Sequence, residues 1–142
     1  PLPHLGGAVL IEERPQMFAA ELLTRRCALG ISQADLARLI NVTQRSISNY
    51  ERAARAPGNP DEILALLDRL ESTAKAVERE CIEAYIITGD VIRVEPSESA
   101  YRRRRPDMAA ALPWSAYLAA AARARTEIER MTGTKPELAY TN

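Results

Sequence analysis

Residues 31–52 read ISQADLARLINVTQRSISNYER, and this stretch decides the fold of the N-terminal half of the chain. Ser32 is suited to N-cap a short helix, with Asp35 three residues later in an approximate capping box. Thr43 is suited to N-cap a second helix. Apolar residues recur at helical spacing in both segments, at Leu36, Leu39, Ile40, Ile47 and Tyr50. The stretch therefore predicts two consecutive short helices.

Only Asn41 and Val42 separate these helices, so a tight turn must join them. Two short helices joined in this way form a helix-turn-helix, whose second helix enters the major groove of DNA. Gln and Asn side chains pair with adenine and Arg with guanine. Any one such residue alone is more often an ordinary solvated helix residue, but the whole pattern favours DNA contact. The candidate DNA-binding residues of the second helix are Thr43, Gln44, Arg45, Ser48 and Asn49.

The charge of the chain is unevenly distributed, although its net charge is zero. Residues 17–57 contain six arginines against three acidic residues, a net charge of +3. Residues 61–83 contain seven acidic residues against three basic ones, a net charge of −4. The basic segment coincides with the predicted helix-turn-helix and supplies an attraction to phosphates that does not depend on sequence.

Residues 29–37 (LGISQADLA) and 42–51 (VTQRSISNYE) closely resemble the Cro/C1, or Xre-like, helix-turn-helix repressor family. The resemblance covers about a third of the chain. It implies that Gln33 holds a DNA phosphate and that Ser46 and Arg52 contact the DNA backbone. It also implies base contacts from the second helix, at Gln44, Arg45 and Asn49. Glu51 is expected to be a structural partner within the domain. Ala53-Ala54 replaces the usual glycine after the helix, which predicts a differently shaped loop.

The whole chain is also similar to small bacterial and phage regulators that carry a C-terminal dimerisation domain, including anti-CRISPR-associated autoregulators. Tyr101, residues 112–117 (LPWSAY), the following Ala/Arg-rich helix and Gly133 carry this similarity. It implies homodimers that bind an inverted repeat near their own promoter and repress their own operon.

Residues 61–88 form the longest periodic segment of the chain. Apolar residues alternate at spacings of four and three along it, which is a heptad pattern. Such a seam packs either on the rest of its own chain or on its copy in a second subunit. Because helix-turn-helix proteins usually bind two-fold sites as dimers, we favour pairing between subunits. The predicted dimerisation residues are Ile63, Leu67, Leu70, Ala74, Val77 and Cys81.

The C-terminal part has mixed secondary structure. Residues 90–95 predict a short strand, Pro113 begins a helix of about twenty residues, and residues 137–140 predict a second strand that pairs with the first. The fold class is mainly α: an N-terminal helix-turn-helix bundle, then a long helix and a small α+β C-terminal dimerisation domain. The predicted divisions are a flexible arm at 1–15, a DNA-binding domain at 16–58 and a dimerisation domain at 59–142.

Four consecutive arginines, residues 102–105, form a second basic feature. They either contact nucleic acid or pair with acidic residues of the same protein, for instance in segment 61–83. The candidate additional phosphate contacts are Arg55, Arg102, Arg103 and Arg104. Nearby Trp114 and Tyr117 are expected in the core rather than as a stacking platform for a nucleotide.

Other function classes find little support. The only histidine, His4, excludes the usual Cys/His zinc sites, and Cys27 and Cys81 are expected to be small buried hydrophobic residues. The sequence contains no catalytic triad or glycine-rich phosphate loop, so we expect no enzyme, metal or cofactor. It also lacks a signal peptide and the roughly 20 apolar residues of a membrane span, so we expect a cytoplasmic protein.

The sequence therefore predicts a transcriptional repressor that binds double-stranded DNA as a homodimer. The alternatives are an antitoxin-type protein that binds a partner through the C-terminal domain, and a regulator that also binds RNA.

Overall fold

The computed structural model describes residues 14–142, which are mainly helical with one small sheet. The elements in chain order are α1 (Arg14–Leu29), α2 (Gln33–Ile40), α3 (Gln44–Glu51), α4 (Pro60–Thr88), β1 (Ile92–Val94), α5 (Glu98–Arg104), α6 (Pro106–Ala111), α7 (Trp114–Thr132) and β2 (Leu138–Tyr140). The expected arm over residues 1–15 lies outside the described residues, apart from Arg14 and Pro15, which begin α1. His4 lies outside them too. The mainly α fold with an N-terminal helix-turn-helix is confirmed.

The capping expected for α2 and α3 is present. The Ser32 hydroxyl accepts a hydrogen bond from the backbone N–H of Asp35 at 3.0 Å, and the Asp35 carboxylate accepts one from the Ser32 N–H. The Thr43 hydroxyl accepts from the Ser46 N–H at 3.1 Å. Asn41 ends α2 in the left-handed conformation, φ 58°, which short polar residues tolerate. Local interactions therefore set the start of both helices.

The loop after α3 closes without a glycine. Ala53 adopts φ 56°, in the left-handed region, and its N–H donates to the Tyr50 carbonyl at 3.2 Å. This conformation costs an alanine about 1–2 kcal/mol, so the surrounding structure must hold it.

The seam of α4 is buried within the chain, where α4 packs on both α1 and α7. Ile63, Leu67, Leu70, Ala74 and Val77 are each no more than 2% exposed. The facing side of α7 is lined by small residues that let the two helices approach closely, namely Ala116, Ala120, Ala121 and Ala124. The prediction that these seam residues pair with a second subunit is therefore wrong, because atoms already enclosed by the same chain cannot contact another copy.

The far end of the predicted seam is only partly enclosed. Cys81 is half-buried, and burial raises the pKa of its thiol. Cys27 is exposed on α1, contrary to expectation, because the buried side of that helix is set by Ala19, Leu22 and Leu29. Cys27 therefore does not serve as a buried hydrophobic residue in this chain.

The predicted strand pairing is confirmed. β1 and β2 form a parallel two-stranded sheet in which Ile92, Arg93 and Val94 are in register with Leu138, Ala139 and Tyr140. Ile92 and Val94 are buried against the helices. The sheet thus joins the C-terminal end of the chain to the segment that follows α4.

Two short helices, α5 and α6, precede α7, where the sequence predicted only a basic run. Ser97 caps α5 through a hydrogen bond from the Ala100 N–H. The buried Tyr101 ring packs 4.8 Å from the Tyr117 ring, and its hydroxyl donates to the Leu112 carbonyl at 2.8 Å. Burial raises the pKa of Tyr101 to about 12. Tyr117 is in the core as predicted, whereas Trp114 is half-buried.

Residues from both predicted domains contribute to one apolar core. Arg25 of α1 donates to Glu71 of α4 at 2.7 and 2.9 Å. Arg123 of α7 donates to the Ala28 carbonyl at 2.8 Å and to Glu78 at 3.2 Å. The helix-turn-helix is therefore fixed against the long helix and α7, while the division of the chain into domains stays a prediction.

The turn between α1 and α2 approaches α7 very closely at Gly30. Its φ is +81°, and a Cβ added there would lie 2.8 Å from the Ala119 Cβ. We expect Gly30→Ala to reduce the free energy of unfolding by about 1–3 kcal/mol, because it adds backbone strain and overlap. Urea unfolding followed by circular dichroism measures the change. Gly133→Ala is the matched control, because Gly133 has φ +76° with no atom within 4 Å of its added Cβ. Equal reductions of the free energy of unfolding in Gly30→Ala and Gly133→Ala would show that overlap with Ala119 of α7 adds nothing to the destabilisation.

Candidate nucleic-acid interface

The N-terminal turn of α3 presents two uncommitted polar side chains. Gln44 and Arg45 are exposed. Within residues 14–142 neither side chain makes a hydrogen bond or an ion pair. The first turn of a recognition helix is where side chains reach base edges. These two residues are therefore free to pair with a base without first breaking a contact.

Gln33, at the start of α2, is held by a buried ion pair. Glu51 accepts from Arg26 Nε at 2.6 Å and from Arg26 Nη2 at 2.9 Å. The Gln33 amide nitrogen donates to the same carboxylate at 3.0 Å. The Glu51 side chain is 4% exposed and that of Arg26 is 12% exposed. The Glu51 carboxylate raises the pKa of Arg26 above its usual value, so the Arg26 guanidinium stays charged. The chain thus orients the Gln33 amide, and Glu51 has the structural role that was expected.

The C-terminal part of α3 is linked to the residues that follow it. Arg52 Nη2 donates to the Asn49 side-chain oxygen at 2.6 Å. Asn49 and Ser48 are both half-buried. The Asn49 oxygen must therefore either keep the Arg52 hydrogen bond while it contacts a base or give up that hydrogen bond first.

Arg55 is exposed to solvent, and its side chain lies back over α3. Its guanidinium is 5.5 Å from the centre of the Tyr50 ring and donates to the Ser46 hydroxyl at 3.1 Å. The Ser46 hydroxyl also accepts from the Thr43 hydroxyl at 3.1 Å. Thr43 is consequently occupied in capping the helix, and Arg55 is brought to the same side of α3 as Ser46.

Ion pairing leaves the positive charge of this region concentrated at α3. Among the six arginines of residues 17–57, Arg25 pairs with Glu21, Asp68 and Glu71, Arg26 with Glu51, and Arg38 with Asp35. The three that pair with no acidic residue of the described chain are Arg45, Arg52 and Arg55. All three lie on α3 or directly after it, so a phosphate backbone at this surface would meet unneutralised charge.

The second basic feature is largely occupied within the chain. Arg102 pairs with Glu98, Arg104 lies 3.6 Å from Glu95 and donates to Thr141, and Arg105 contacts Glu80 at 2.6 and 2.7 Å. Only Arg103 has no such partner among residues 14–142. Pairing with the acidic helix, one of the two alternatives for this run, thus occurs at Arg105, whereas phosphate contact by Arg102, Arg103 and Arg104 stays a prediction.

The sequence did not identify Arg26 as the residue that holds Glu51 and, through it, Gln33. The two charged residues are 25 positions apart on different helices, so no local spacing connects them. Arg55 was included only as a general phosphate contact, and its stacking on Tyr50 could not be read from the order of residues. The first arrangement depends on how α1 and α3 meet, whereas the second depends on how the residues after α3 fold back over it.

Metal binding and membrane insertion receive no support from the described part of the chain. Residues 14–142 contain no group of three metal-ligating side chains, and no helix in this range is long and apolar enough to cross a membrane.

Comparison with known proteins agrees with this geometry. Residues 22–73 match the family model described as helix-turn-helix. The match includes α2, α3 and the first half of α4, and so extends beyond the predicted boundary at residue 58. No curated protein matches the chain.

Proposed function

Residues 22–73 form a helix-turn-helix domain of the Cro/C1 (Xre-like) family of DNA-binding transcription regulators, and on that premise we propose that the chain is a sequence-specific repressor. It acts as a homodimer on an inverted repeat and controls its own operon. The observation that carries the proposal is the α3 surface, where the uncommitted side chains of Gln44 and Arg45 stand beside Arg52 and Arg55, and no acidic residue of the described chain neutralises any of these three arginines.

The proposed interface makes two kinds of contact with DNA, one to the backbone and one to the base edges. Gln33, Ser46, Arg52 and Arg55 hold the DNA backbone, which fixes the position of α3 without selecting a sequence. Gln44, Arg45 and Asn49 contact base edges and select it. The hydrogen bonds from Gln33 to Glu51 and from Arg55 to Ser46 hold part of the first set in place before DNA arrives, so less side-chain freedom is lost on binding.

Selection from a randomised duplex library tests the proposal, because it requires no knowledge of the operator. We expect the purified full chain to enrich an inverted repeat. Enrichment of an asymmetric site would argue against the homodimer, and no enrichment at low salt would argue against sequence-specific binding. A reporter gene behind the chain's own upstream region then tests autoregulation, which predicts lower expression when the protein is present.

Arg45 is expected to contribute directly to sequence preference. Arg45→Ala should weaken binding to the selected site by about 1–3 kcal/mol and relax the preference at one base pair, because a guanidinium that contacts guanine is lost. Competition mobility shifts with single-base variants of the selected site measure both effects. Gln33→Ala is the matched comparison, since loss of a phosphate contact should weaken all sequences about equally. Unchanged discrimination in Arg45→Ala would remove this residue from the base-contacting set.

A further inference from the structure

β2 exposes apolar side chains on a face that is otherwise buried. Leu138 and Tyr140 are in register with Ile92 and Val94, and side chains of paired residues lie on the same face of a sheet. Ile92 and Val94 are 3% and 8% exposed, whereas Leu138 and Tyr140 are 47% and 66% exposed. The apolar face of the sheet therefore continues beyond the helices that cover β1.

The outer edge of β2 also has backbone groups available for pairing. The Glu137 carbonyl accepts from the Ile92 N–H, and the Thr141 N–H donates to the Val94 carbonyl. Residues 137, 139 and 141 thus direct their backbone groups toward β1. Leu138 and Tyr140 direct theirs to the opposite edge, where Arg93 reaches the Tyr140 carbonyl only at 3.5 Å. Such an edge is a template for another strand.

We propose that β2 pairs in antiparallel orientation with β2 of a second copy of this chain, around a two-fold axis at Ala139, to form a four-stranded sheet. The inference rests on the proposed function in one respect, because a repressor of an inverted repeat needs a two-fold dimer and the α4 seam is already buried within the chain. Antiparallel pairing of two identical strands is itself a two-fold arrangement.

The register of this pairing satisfies the outward backbone groups. With Ala139 on the axis, Leu138 lies opposite Tyr140 of the second copy, and Tyr140 lies opposite Leu138 of the second copy. Residues that direct their backbone groups outward then face each other and exchange N–H···O=C bonds, as a hydrogen-bonded antiparallel pair requires. The same register places the two exposed apolar side chains in contact across the interface.

Charge supports a second copy as the occupant of this edge. Glu137 is exposed and forms no ion pair within residues 14–142. In the proposed register it lies opposite Thr141 of the second copy, whose hydroxyl accepts from Arg104. The Glu137 carboxylate therefore approaches the Arg104 guanidinium of the other chain, and the two-fold axis repeats this contact.

Light scattering on the full chain tests the proposal. We expect wild type to have twice the chain mass of 15.7 kDa, and Leu138→Glu to have the single-chain mass. Tyr140→Pro should do the same, because it removes an N–H directed to the outer edge and leaves the β1–β2 hydrogen bonds in place. Ile87→Glu is the matched control: it puts the same charge on a side chain that is 83% exposed at the end of α4, and should leave the dimer unchanged. Circular dichroism checks that each variant is folded.

Three outcomes would overturn the proposal: a monomeric wild type, dimers that persist in both β2 variants, or dissociation of the Ile87→Glu control as well. Binding of the same proteins to a mixed-sequence duplex at low salt separates this inference from the proposed function. A dimer that depends on β2 but does not bind duplex would contradict DNA binding and leave the interface standing. Binding of duplex by a wild-type monomer would support DNA binding and contradict the β2 interface between two copies.

Discussion

Leu67→Ala is expected to reduce the free energy of unfolding by about 2–5 kcal/mol, because it removes a fully enclosed side chain from the α4 seam and leaves a cavity there. Leu67 is 0% exposed and lies between Ile63 and Leu70 on the seam. The helices around the seam cannot move far to fill the gap, since Arg25 holds α1 to α4 and Arg123 holds α7 to both. Chemical denaturation followed by circular dichroism measures the loss.

Ile87→Ala is the matched control for this change. It shortens an apolar side chain on the same helix, but at a position 83% exposed, so we expect a change within about 0.5 kcal/mol. Because the seam is enclosed by its own chain, the difference in the free energy of unfolding between Leu67→Ala and wild type should be the same at low and high protein concentration. A difference that grows on dilution would instead place Leu67 in a contact between subunits.

Glu51→Ala is expected to reduce the free energy of unfolding by about 3–5 kcal/mol, because it leaves a charged guanidinium enclosed without its anion. Two Arg26 nitrogens and the Gln33 amide lose their acceptor at once, and Arg26 keeps only the Ile31 carbonyl, at 2.9 Å. Thermal and urea unfolding measure the stability. Duplex binding should weaken for all sequences in addition, since Gln33 is no longer oriented.

A double variant shows whether the loss comes from the unpaired charge. Arg26→Met combined with Glu51→Leu replaces the ion pair by apolar side chains, and such replacements are often close to neutral. We expect the double variant to be clearly more stable than Glu51→Ala. Equal stabilities, or a loss below about 1 kcal/mol in Glu51→Ala itself, would show that the pair contributes little.

The helix-turn-helix could be predicted because its determinants are local. Ser32 and Thr43 each satisfy backbone N–H groups within three residues, and the apolar positions of α2 and α3 follow the helical repeat. The strand pairing was also predictable, since the described C-terminal segment offers β1 few partners other than β2. α5 and α6 were not predicted, because helices of seven and six residues are marginal alone and depend on contacts such as Tyr101 with Tyr117.

The sequence by itself determined that residues 61–88 form one long helix with an apolar seam, that two short capped helices precede it, and that α3 carries the polar residues suited to DNA. The tertiary structure alone decided what covers the seam, because a heptad pattern specifies an apolar stripe and not the surface that buries it. It likewise decided which arginines remain unneutralised, because Glu51 and Glu71 reach their partners across 25 and 46 residues of chain. Ion pairs between distant residues form only where packing brings the helices together, so the charged surface at α3 is a property of the folded chain.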